Sequence, residues 1–345
     1  MDNTSHEFFM KRCLKLASLG LGTTSPNPMV GAVIVHQNKI IGEGYHHKAG
    51  EDHAEILALK SMSDHSLLPE STLFVNLEPC AHFGKTPPCT GAIIEHNIPR
   101  VVVCNRDPNP QVSPSETQLH NAGVTTTYGI LEKEGRWLNR RFFTFFEKKR
   151  PYIILKWAQS ADGFTEPLRA TDEEGIIWIS SPQSKNLVHQ WRAQEDSILV
   201  GANTAHNDDP ELTVRNGAGR NPLRILIDPS LRVHNRKLIT DALPTVIVNT
   251  EVEKQEDLKS YWKVEADTLI NDLLDRLTQA QITSMIVEGG SHTIQRFVDN
   301  GLWDEARIIV GQTTFGKGLP APTFASSIRE RFVCGTDRIE IHQPL

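Results

Sequence analysis

The stretches His53-Ala54-Glu55 and Pro79-Cys80-Ala81-His82-Phe83-Gly84-Lys85-Thr86-Pro87-Pro88-Cys89 decide how the first half of this chain is interpreted. One imidazole and two thiolates offer three ligands to a divalent metal of borderline softness, and a fourth position stays open for water. Glu55 lies just beyond the histidine, close enough to carry a proton without binding the metal. The pattern predicts a catalytic centre with one Zn²⁺ per chain, held by His53, Cys80 and Cys89, and Glu55 as general acid–base.

This ligand order is typical of zinc-dependent deaminases, in which His-x-Glu precedes Pro-Cys-x-x-Cys. Here a longer loop separates the two cysteines. Two other interpretations are open, because cysteines are often buried apolar residues and can also build a structural zinc site. The sequence contains no Cys-x-x-Cys pair to complete a four-cysteine site, and this favours the catalytic interpretation.

Length and composition limit the classes of protein to consider. The chain has 345 residues, which suggests two domains, and a formal net charge of −6. Its five thinly spread cysteines do not form the framework of a secreted disulfide-rich protein. No secretory signal and no apolar run of about 20 residues is present, so we expect a cytoplasmic protein with no membrane partner. Because no Lys/Arg-rich run occurs, we expect a small-molecule substrate and no nucleic acid.

Strands and helices alternate along both halves of the sequence. The first half has helical spacing over 5–17 and 53–61 and buried strands at 72–76 and 101–104. In the second half, buried strands are expected at 152–158, 198–200, 223–228, 245–248, 284–288 and 306–310. The pattern breaks between Arg140 and Pro151. We therefore expect an α/β fold with largely parallel strands, divided into domains 1–147 and 151–345.

Two loops of the second half carry candidate binding residues. Glu288-Gly289-Gly290-Ser291 lies between a buried strand and a helix start, where glycines let a phosphate approach backbone N–H groups. The motif lacks the full Gly-x-Gly-x-x-Gly, so an ordinary turn is the alternative. The polar stretch from Thr204 to Arg215 is either a binding loop or an Asp-Pro turn after a strand.

Together these stretches resemble the RibD family of bifunctional bacterial riboflavin-biosynthesis proteins over nearly the whole chain. The resemblance rests on the zinc motif with its His-x-Gly-Lys-Thr insert, and on further stretches at 24–33, 44–50, 156–163, 178–182, 204–215 and 288–290. It implies an N-terminal cytidine-deaminase-like zinc domain followed by a C-terminal dihydrofolate-reductase-like domain. One departure is Ile176, in a position where the family usually has a small polar residue, within a loop longer than usual.

For the first domain, the resemblance implies deamination of 2,5-diamino-6-ribosylamino-4(3H)-pyrimidinone 5′-phosphate. Glu55 would take a proton from water and return it to the leaving ammonia. Asn27 is the expected contact to the pyrimidine ring. The other residues expected to bind this substrate are His46, His82, Lys85 and Thr86. The alternative for each is a hydrogen bond that only stabilises its loop.

For the second domain, the resemblance implies NADPH-dependent reduction of the ribosyl to a ribityl side chain, giving 5-amino-6-ribitylaminouracil 5′-phosphate. The residues expected to bind NADPH are Trp178, Thr204, Asp208, Gly290, Ser291, His292, Thr293, Ile294, Gln295 and Arg296. The residues expected to bind substrate are Lys156, Arg192, Leu212, Arg215 and Glu288. Purely structural ion pairs are the alternative for the charged members.

Two functions of other classes compete with this interpretation. One is a polynucleotide deaminase, against which the acidic net charge argues. The other is a deaminase whose second half is only a scaffold, against which the retained Lys156, Arg192, Asp208 and Glu288 argue. We also expect a homo-oligomer.

Overall fold

The structure is a computed structural model that describes residues 3–81, 87–110, 112, 114–168, 178–215, 217 and 219–345. It divides into two compact units, Met1–Lys149 and Arg150–Leu345. His82, Lys85, Thr86 and Ile176 lie outside the described residues. Within the described part, no helix combines the length and apolar character needed to cross a bilayer.

Unit 1 contains a five-stranded sheet in the order β2-β1-β3-β4-β5. Its strands are Gly31–His36 (β1), Lys39–Tyr45 (β2), Thr72–Leu77 (β3), Arg100–Asn105 (β4) and Thr125–Tyr128 (β5). Its α-helices are Asn3–Ala17 (α1), Ala54–Lys60 (α2), Cys89–Glu95 (α3), Ser115–Asn121 (α4), Glu132–Leu138 (α5) and Arg140–Lys148 (α6). β1 is antiparallel to β2 and β3, whereas β3, β4 and β5 are parallel.

Both faces of this sheet are buried, which explains its continuous apolar runs. Successive side chains of a strand point to opposite faces, so each strand supplies two cores. Leu73 and Val75 pack with apolar residues of α2, α3 and α4. Phe74, between them, packs on the other face against Phe9 and Met10 of α1. The result is a helix–sheet–helix sandwich in which the carboxyl end of β3 leads directly to Cys80.

Unit 2 contains a ten-stranded sheet in the order β11-β12-β10-β9-β8-β13-β6-β14-β17-β16, together with a separate β7–β15 pair. Its strands are Tyr152–Gln159 (β6), Phe164–Pro167 (β7), Ser197–Gly201 (β8), Leu223–Ile227 (β9), Thr245–Asn249 (β10), Lys254–Glu256 (β11), Lys259–Lys263 (β12), Ser284–Val287 (β13), Glu305–Val310 (β14), Gly318–Pro320 (β15), Ser326–Cys334 (β16) and Asp337–Pro344 (β17). Its α-helices are Pro182–Gln194 (α7), Ala202–Asp208 (α8), Lys237–Thr240 (α9), Leu269–Gln279 (α10) and Ser291–Asp299 (α11).

The centre of this larger sheet is parallel, from β12 through β14, and only its edge strands run antiparallel. Ile153 and Leu155 of β6 pack towards α10 and α11, whereas Ile154 packs towards α7 and α8. In parallel α/β sheets, ligands bind outside the carboxyl ends of the strands. Gly201 ends β8 and Glu288 directly follows β13 at this edge, and Lys156 of β6 lies level with Glu288.

The expected α/β class and the strands named from the sequence are confirmed. The helix expected from His53 begins one residue later, at Ala54, with His53 as its N-cap in extended conformation. The hairpin formed by β16 and β17 was not predicted from the sequence. β16 is mostly solvent-exposed, so it lacks the apolar alternation by which strands are recognised.

Candidate functional site

The three predicted metal ligands of unit 1 converge. The ligand atoms of His53, Cys80 and Cys89 all lie within 4.8 Å of one another. His53 Nδ1 is 3.3 Å from Cys89 Sγ and 3.5 Å from Cys80 Sγ. One imidazole nitrogen and two sulfurs are the donor set of a three-ligand zinc site with an open fourth position, so the residues fit this metal.

Three separate elements deliver these ligands. His53 is the N-cap of α2, Cys80 follows β3, and Cys89 is the first residue of α3. The Cys89 backbone N–H donates to Cys80 Sγ at 3.3 Å, and the Thr90 N–H donates to the Cys80 carbonyl at 3.2 Å. These bonds fix the loop end around Cys80 and support a thiolate there.

The proton states of the two thiols differ. Hydrogen bonds from the side chains of Cys89 and His53 lower the pKa of Cys80 to about 4, against the opposing effect of burial. The pKa of Cys89 is raised, first by its contact with Cys80 and then by burial. Of the two thiols, Cys80 is therefore the one whose surroundings favour the thiolate.

Glu55 lies in the first turn of α2 and is 4% exposed. Burial raises the pKa of its carboxyl group, and the nearby Cys80 raises it further. A carboxyl group with a raised pKa exchanges a proton near neutral pH more readily than an ordinary glutamate. Its position and environment therefore suit a group that accepts and returns a proton.

Asn27 and His46 form a pair beside this centre. His46 Nδ1 is 3.0 Å from the carbonyl oxygen of Asp52, and its Nε2 is 3.1 Å from Asn27 Nδ2. The carbonyl can only accept, so Nδ1 carries the hydrogen and Nε2 accepts from the Asn27 amide. Burial lowers the pKa of His46, consistent with this neutral ring. The arrangement leaves Asn27 Oδ1 as an acceptor for another partner.

The His46 ring also meets the His53 ring edge-on, with centroids 5.5 Å apart. A cavity of about 400 Å³ opens in front of the segment that leads into His53, lined by His47, Gly50, Glu51, Asp52 and Leu57. Asn27 and His46 thus adjoin the ligand cluster, whereas His82, Lys85 and Thr86 lie outside the described residues.

In unit 2, three of the predicted substrate residues form one ion cluster. Glu288 accepts two hydrogen bonds from Arg192, each 2.8 Å long, and Lys156 Nζ lies 3.4 Å from its Oε2. Burial opposes ionisation of Glu288, but Arg192 and Lys156 outweigh it and lower the pKa of the carboxyl group to about 2. Arg192 also donates to the carbonyl oxygen of Thr213, at 3.2 Å.

Next to this cluster, glycines bring backbone segments close together. A Cβ on Gly289 would lie 2.7 Å from Val200 Cα, so only glycine fits between β13 and β8. A Cβ on Gly290, whose φ is +31°, would lie 3.2 Å from Thr204 Oγ1. Ser291 then begins α11 and its hydroxyl is 3.0 Å from that of Thr165. Backbone amides and hydroxyls at a helix start are a suitable cradle for a dinucleotide's phosphates.

Other residues expected to bind cofactor or substrate have different surroundings. The side chain of Ile294 lies in the core, and the Gln295 amide binds the backbone of Thr323. Leu212 is buried in the opposite core. Any ligand contact of these residues would therefore use the backbone.

The other residues expected to bind cofactor or substrate are more accessible to solvent. Arg215 pairs with Glu211 at 3.3 Å. Trp178 is 58% exposed and lies under Lys185 Nζ, 3.4 Å from the ring centroid. Asp208 ends α8, and His292, Thr293 and Arg296 lie in α11.

Family models match both halves of the chain. The cytidine and deoxycytidylate deaminase zinc-binding region matches residues 3–105, and the RibD C-terminal domain matches residues 151–330. The riboflavin biosynthesis protein RibD of Aquifex aeolicus is 42% identical over 320 residues, covering 90% of this chain and 88% of the relative. That of Escherichia coli is 36% identical over 334 residues, with the same 90% and 88% coverage. This chain belongs to the RibD family.

Solved structures agree with this membership. A deaminase/reductase of Thermotoga maritima matches with a TM-score of 0.87 and 33% identity over 99% of both chains. RibD of Acinetobacter baumannii matches with a TM-score of 0.89 and 29% identity over 100% of both chains. As a RibD protein, this chain is a bifunctional deaminase and reductase of riboflavin biosynthesis. Its zinc-binding and reductase domains imply zinc and a nicotinamide cofactor.

The sequence analysis assigned no role to two further residues near these centres. Glu78 accepts from the Ser115 N–H and hydroxyl, at 2.9 and 3.0 Å, and thereby anchors the segment leading to Cys80. His189 Nδ1 lies 3.1 Å from the Thr213 carbonyl oxygen, beside Arg192. The Pro-Cys context pointed towards Glu78, but an isolated histidine on α7 carries no such signal.

Proposed function

We propose that this protein deaminates 2,5-diamino-6-ribosylamino-4(3H)-pyrimidinone 5′-phosphate in unit 1 and then reduces the product in unit 2. The second step converts the ribosyl to a ribityl side chain and gives 5-amino-6-ribitylaminouracil 5′-phosphate. We assign the deaminase to residues 1–147 and the reductase to 151–345. The observation that carries the proposal is the convergence of His53, Cys80 and Cys89 next to the buried Glu55.

In the deaminase, His53 Nδ1 and the sulfurs of Cys80 and Cys89 would hold zinc. When bound, zinc supplies Lewis acidity that activates water for attack on the ring carbon bearing the amine. The low pKa of Cys80 favours this role because metal ligands must be deprotonated. The bonds from Cys89 N and Thr90 N hold that sulfur and its backbone in place.

Glu55 moves the protons of this reaction. Its carboxylate takes a proton from the attacking water, and the resulting carboxylic acid gives that proton to the departing ammonia. One group acts first as base and then as acid, so its proton must not be lost to solvent between the steps. The burial of Glu55 supports this, since bulk water does not reach it freely.

Asn27 and His46 orient the pyrimidine. Because His46 Nε2 accepts from Asn27 Nδ2, the Asn27 Oδ1 is directed to act as an acceptor for a ring N–H or amino group. His46 is itself fixed by the carbonyl of Asp52. His82, Lys85 and Thr86 remain predicted contacts to the ring and phosphate.

In the reductase, bound NADPH would provide the hydride for reduction of the ribosyl carbon. Thr204, Gly290 and Ser291 would hold the cofactor together with Trp178, Asp208 and residues 292–296. Lys156 and Glu288 hold the sugar, with Lys156 positioned by its ion pair. Arg192 and Arg215 match the charge of the 5′-phosphate, as guanidinium groups often do.

Three further statements belong to this proposal. The cofactor is NADPH rather than NADH. The enzyme acts in the cytoplasm, which its five free cysteines support. It forms a homo-oligomer.

One experiment tests the sequence of reactions. Purified enzyme is incubated with the diaminopyrimidinone ribotide, with and without NADPH, and products are followed by mass. We expect the deaminated ribosyl compound without NADPH and the ribityl compound with it. A ribityl product that still carries the original amine would contradict the proposed order. Equal turnover of cytidine or a tRNA loop would contradict the proposed substrate.

A further inference from the structure

The loop after β9 places an arginine beside the proposed cofactor site. The buried Asp228 carboxylate accepts from the backbone N–H groups of Arg232 and Val233, at 3.2 and 2.8 Å. The Leu231 N–H donates to the Asp228 carbonyl at 3.2 Å. These three bonds fold the loop onto the end of its own strand. The backbone position of Arg232 is therefore fixed before any ligand binds.

The Arg232 side chain reaches the next element. Its Nη2 donates to Oδ1 of Asn203, which immediately precedes Thr204 on α8. Thr204 in turn lies against Gly290, at the start of α11. A continuous row of polar groups therefore runs from the β9 loop across the end of β8 to the end of β13.

Arg232 keeps its charge available. Its partner Asn203 is neutral, and no carboxylate of the described residues lies within ion-pair distance of it. Lys156 and Arg192 differ from Arg232 in this respect, because both form ion pairs with Glu288. The guanidinium group is exposed at the carboxyl edge. An anion arriving there would meet an uncompensated positive charge.

The order of the strands determines the distance that this row of polar groups spans. β9, β8, β13 and β6 are adjacent, so three strand spacings, about 14 Å, separate the end of β9 from the part of β6 that carries Lys156. Lys156, next to the proposed hydride acceptor, lies on β6. The two ends of an extended dinucleotide are separated by a comparable distance. A dinucleotide with its nicotinamide near β6 therefore has its adenosine near β9.

NADPH differs from NADH only by a phosphate on the adenosine 2′-oxygen. Dinucleotide enzymes that use NADPH commonly accommodate this phosphate with an arginine, whose planar N–H pairs match phosphate oxygens. We propose that Arg232, held by the Asp228 loop and by Asn203, binds the 2′-phosphate and makes the reductase prefer NADPH to NADH. The inference rests on the proposed reductase function.

Binding titrations of the full-length protein test this assignment. The dissociation constants of NADPH and NADH are measured by quenching of tryptophan fluorescence for wild type, Arg232→Gln and Arg232→Lys. In Arg232→Gln we expect NADPH to bind roughly 10- to 100-fold more weakly, and NADH affinity to change by less than about twofold. Arg232→Lys keeps the charge and should retain part of the preference.

A matched control is Arg329→Gln. Arg329 donates to Gln343 Oε1 at 3.3 Å and lies on β16, an edge strand far from β9. This variant should bind both nucleotides as wild type does.

The outcomes separate the two proposals. Unchanged NADPH affinity in Arg232→Gln, or equal weakening of both nucleotides, would overturn the role of Arg232 and leave the reductase assignment standing. A wild type that binds NADH as tightly as NADPH would also overturn it. A wild type that binds neither nucleotide would contradict the reductase function itself.

Discussion

In unit 1 the buried Glu55 adjoins the sulfur atoms of the ligand cluster and binds no lysine or arginine in the described part of the chain. In unit 2 the side chain of Glu288, which is 6% exposed, is bound by two cations. Burial and the nearby Cys80 raise the pKa of Glu55. The pKa of Glu288 falls to about 2, although burial opposes this, because Arg192 and Lys156 stabilise its charge. The pKa values of these two glutamates are therefore shifted in opposite directions.

The difference shows that neighbours, rather than burial alone, decide what a buried carboxyl group can do. The raised pKa of Glu55 suits a group that takes up a proton and returns it. Glu288 stays ionised and holds its two cations in fixed positions. The surroundings of Glu55 therefore suit the proton transfer that we propose for it, and those of Glu288 suit the proposed binding of a ligand.

The largest effect is expected from loss of one of the proposed metal ligands in unit 1. In Cys80→Ser we expect zinc to fall from about one per chain to near zero and deamination to fall by at least about four orders of magnitude, because a weaker ligand replaces a thiolate. Elemental analysis and a deaminase assay measure this. Cys334→Ser, which changes a cysteine outside the ligand set, is the control. Unchanged zinc in Cys80→Ser would refute the ligand assignment.

The substitution Glu55→Gln tests the proton-carrying role that we propose for Glu55. The amide keeps the side chain's size but cannot carry the proton, so deamination should fall by about 10²- to 10⁴-fold. Zinc content should stay the same, because Glu55 is not proposed as a ligand. Reduction of the pre-deaminated substrate should proceed at a near wild-type rate. Loss of that reduction in a folded variant would show that the two activities are not independent.

The holding role of Glu288 is tested by Glu288→Gln. Removing one partner of a buried ion cluster leaves Arg192 and Lys156 uncompensated, and we expect the free energy of unfolding of unit 2 to fall by about 3–5 kcal/mol. Urea unfolding measures the change, and the reductase KM should rise with it. Glu253→Gln is the matched control, since its pair with Arg276 is exposed and should contribute less than about 1 kcal/mol. Equal losses of unfolding free energy in Glu288→Gln and Glu253→Gln would contradict the distinction between a buried and an exposed ion pair.

The pH dependence of stability gives the smallest expected effect. A carboxyl group with a lowered pKa stabilises the fold above its unfolded pKa, near 4.5, and this contribution is lost as pH falls towards about 2. The stability difference between wild type and Glu288→Gln should therefore shrink by about 3 kcal/mol over this range. Urea titrations of both proteins at pH 6, 4 and 2.5 measure it. A constant difference would mean that Glu288 does not titrate as described.

The sequence was sufficient to predict the α/β class and the central strands, and it singled out the three residues whose side chains converge in unit 1, because each is expressed by local patterns. Continuous apolar runs indicate buried parallel strands, and His53, Cys80 and Cys89 are chemically distinctive. Elements with polar, exposed sequences were less visible. β16 is the example, since its stability comes from pairing with β17 rather than from its own pattern.

Other features depended on contacts between distant parts of the chain. Glu78 reaches Ser115, 37 positions away, and Lys156 reaches Glu288, 132 positions away. The direction of the Asn27 amide follows from its hydrogen bond to His46, and the availability of the Arg232 charge follows from its neutral partner. No local sequence pattern encodes contacts between residues so far apart in the chain.

By itself, then, the sequence determined which chemical groups this protein has and which of them could bind zinc, since ligand chemistry and backbone periodicity are local properties. The tertiary structure decided their proton states and orientations. A pKa or a hydrogen-bond direction depends on the electric field and partners that surrounding elements supply, and these exist only once the chain has folded. This is why Glu55 and Glu288, identical as residues, differ so much as acids.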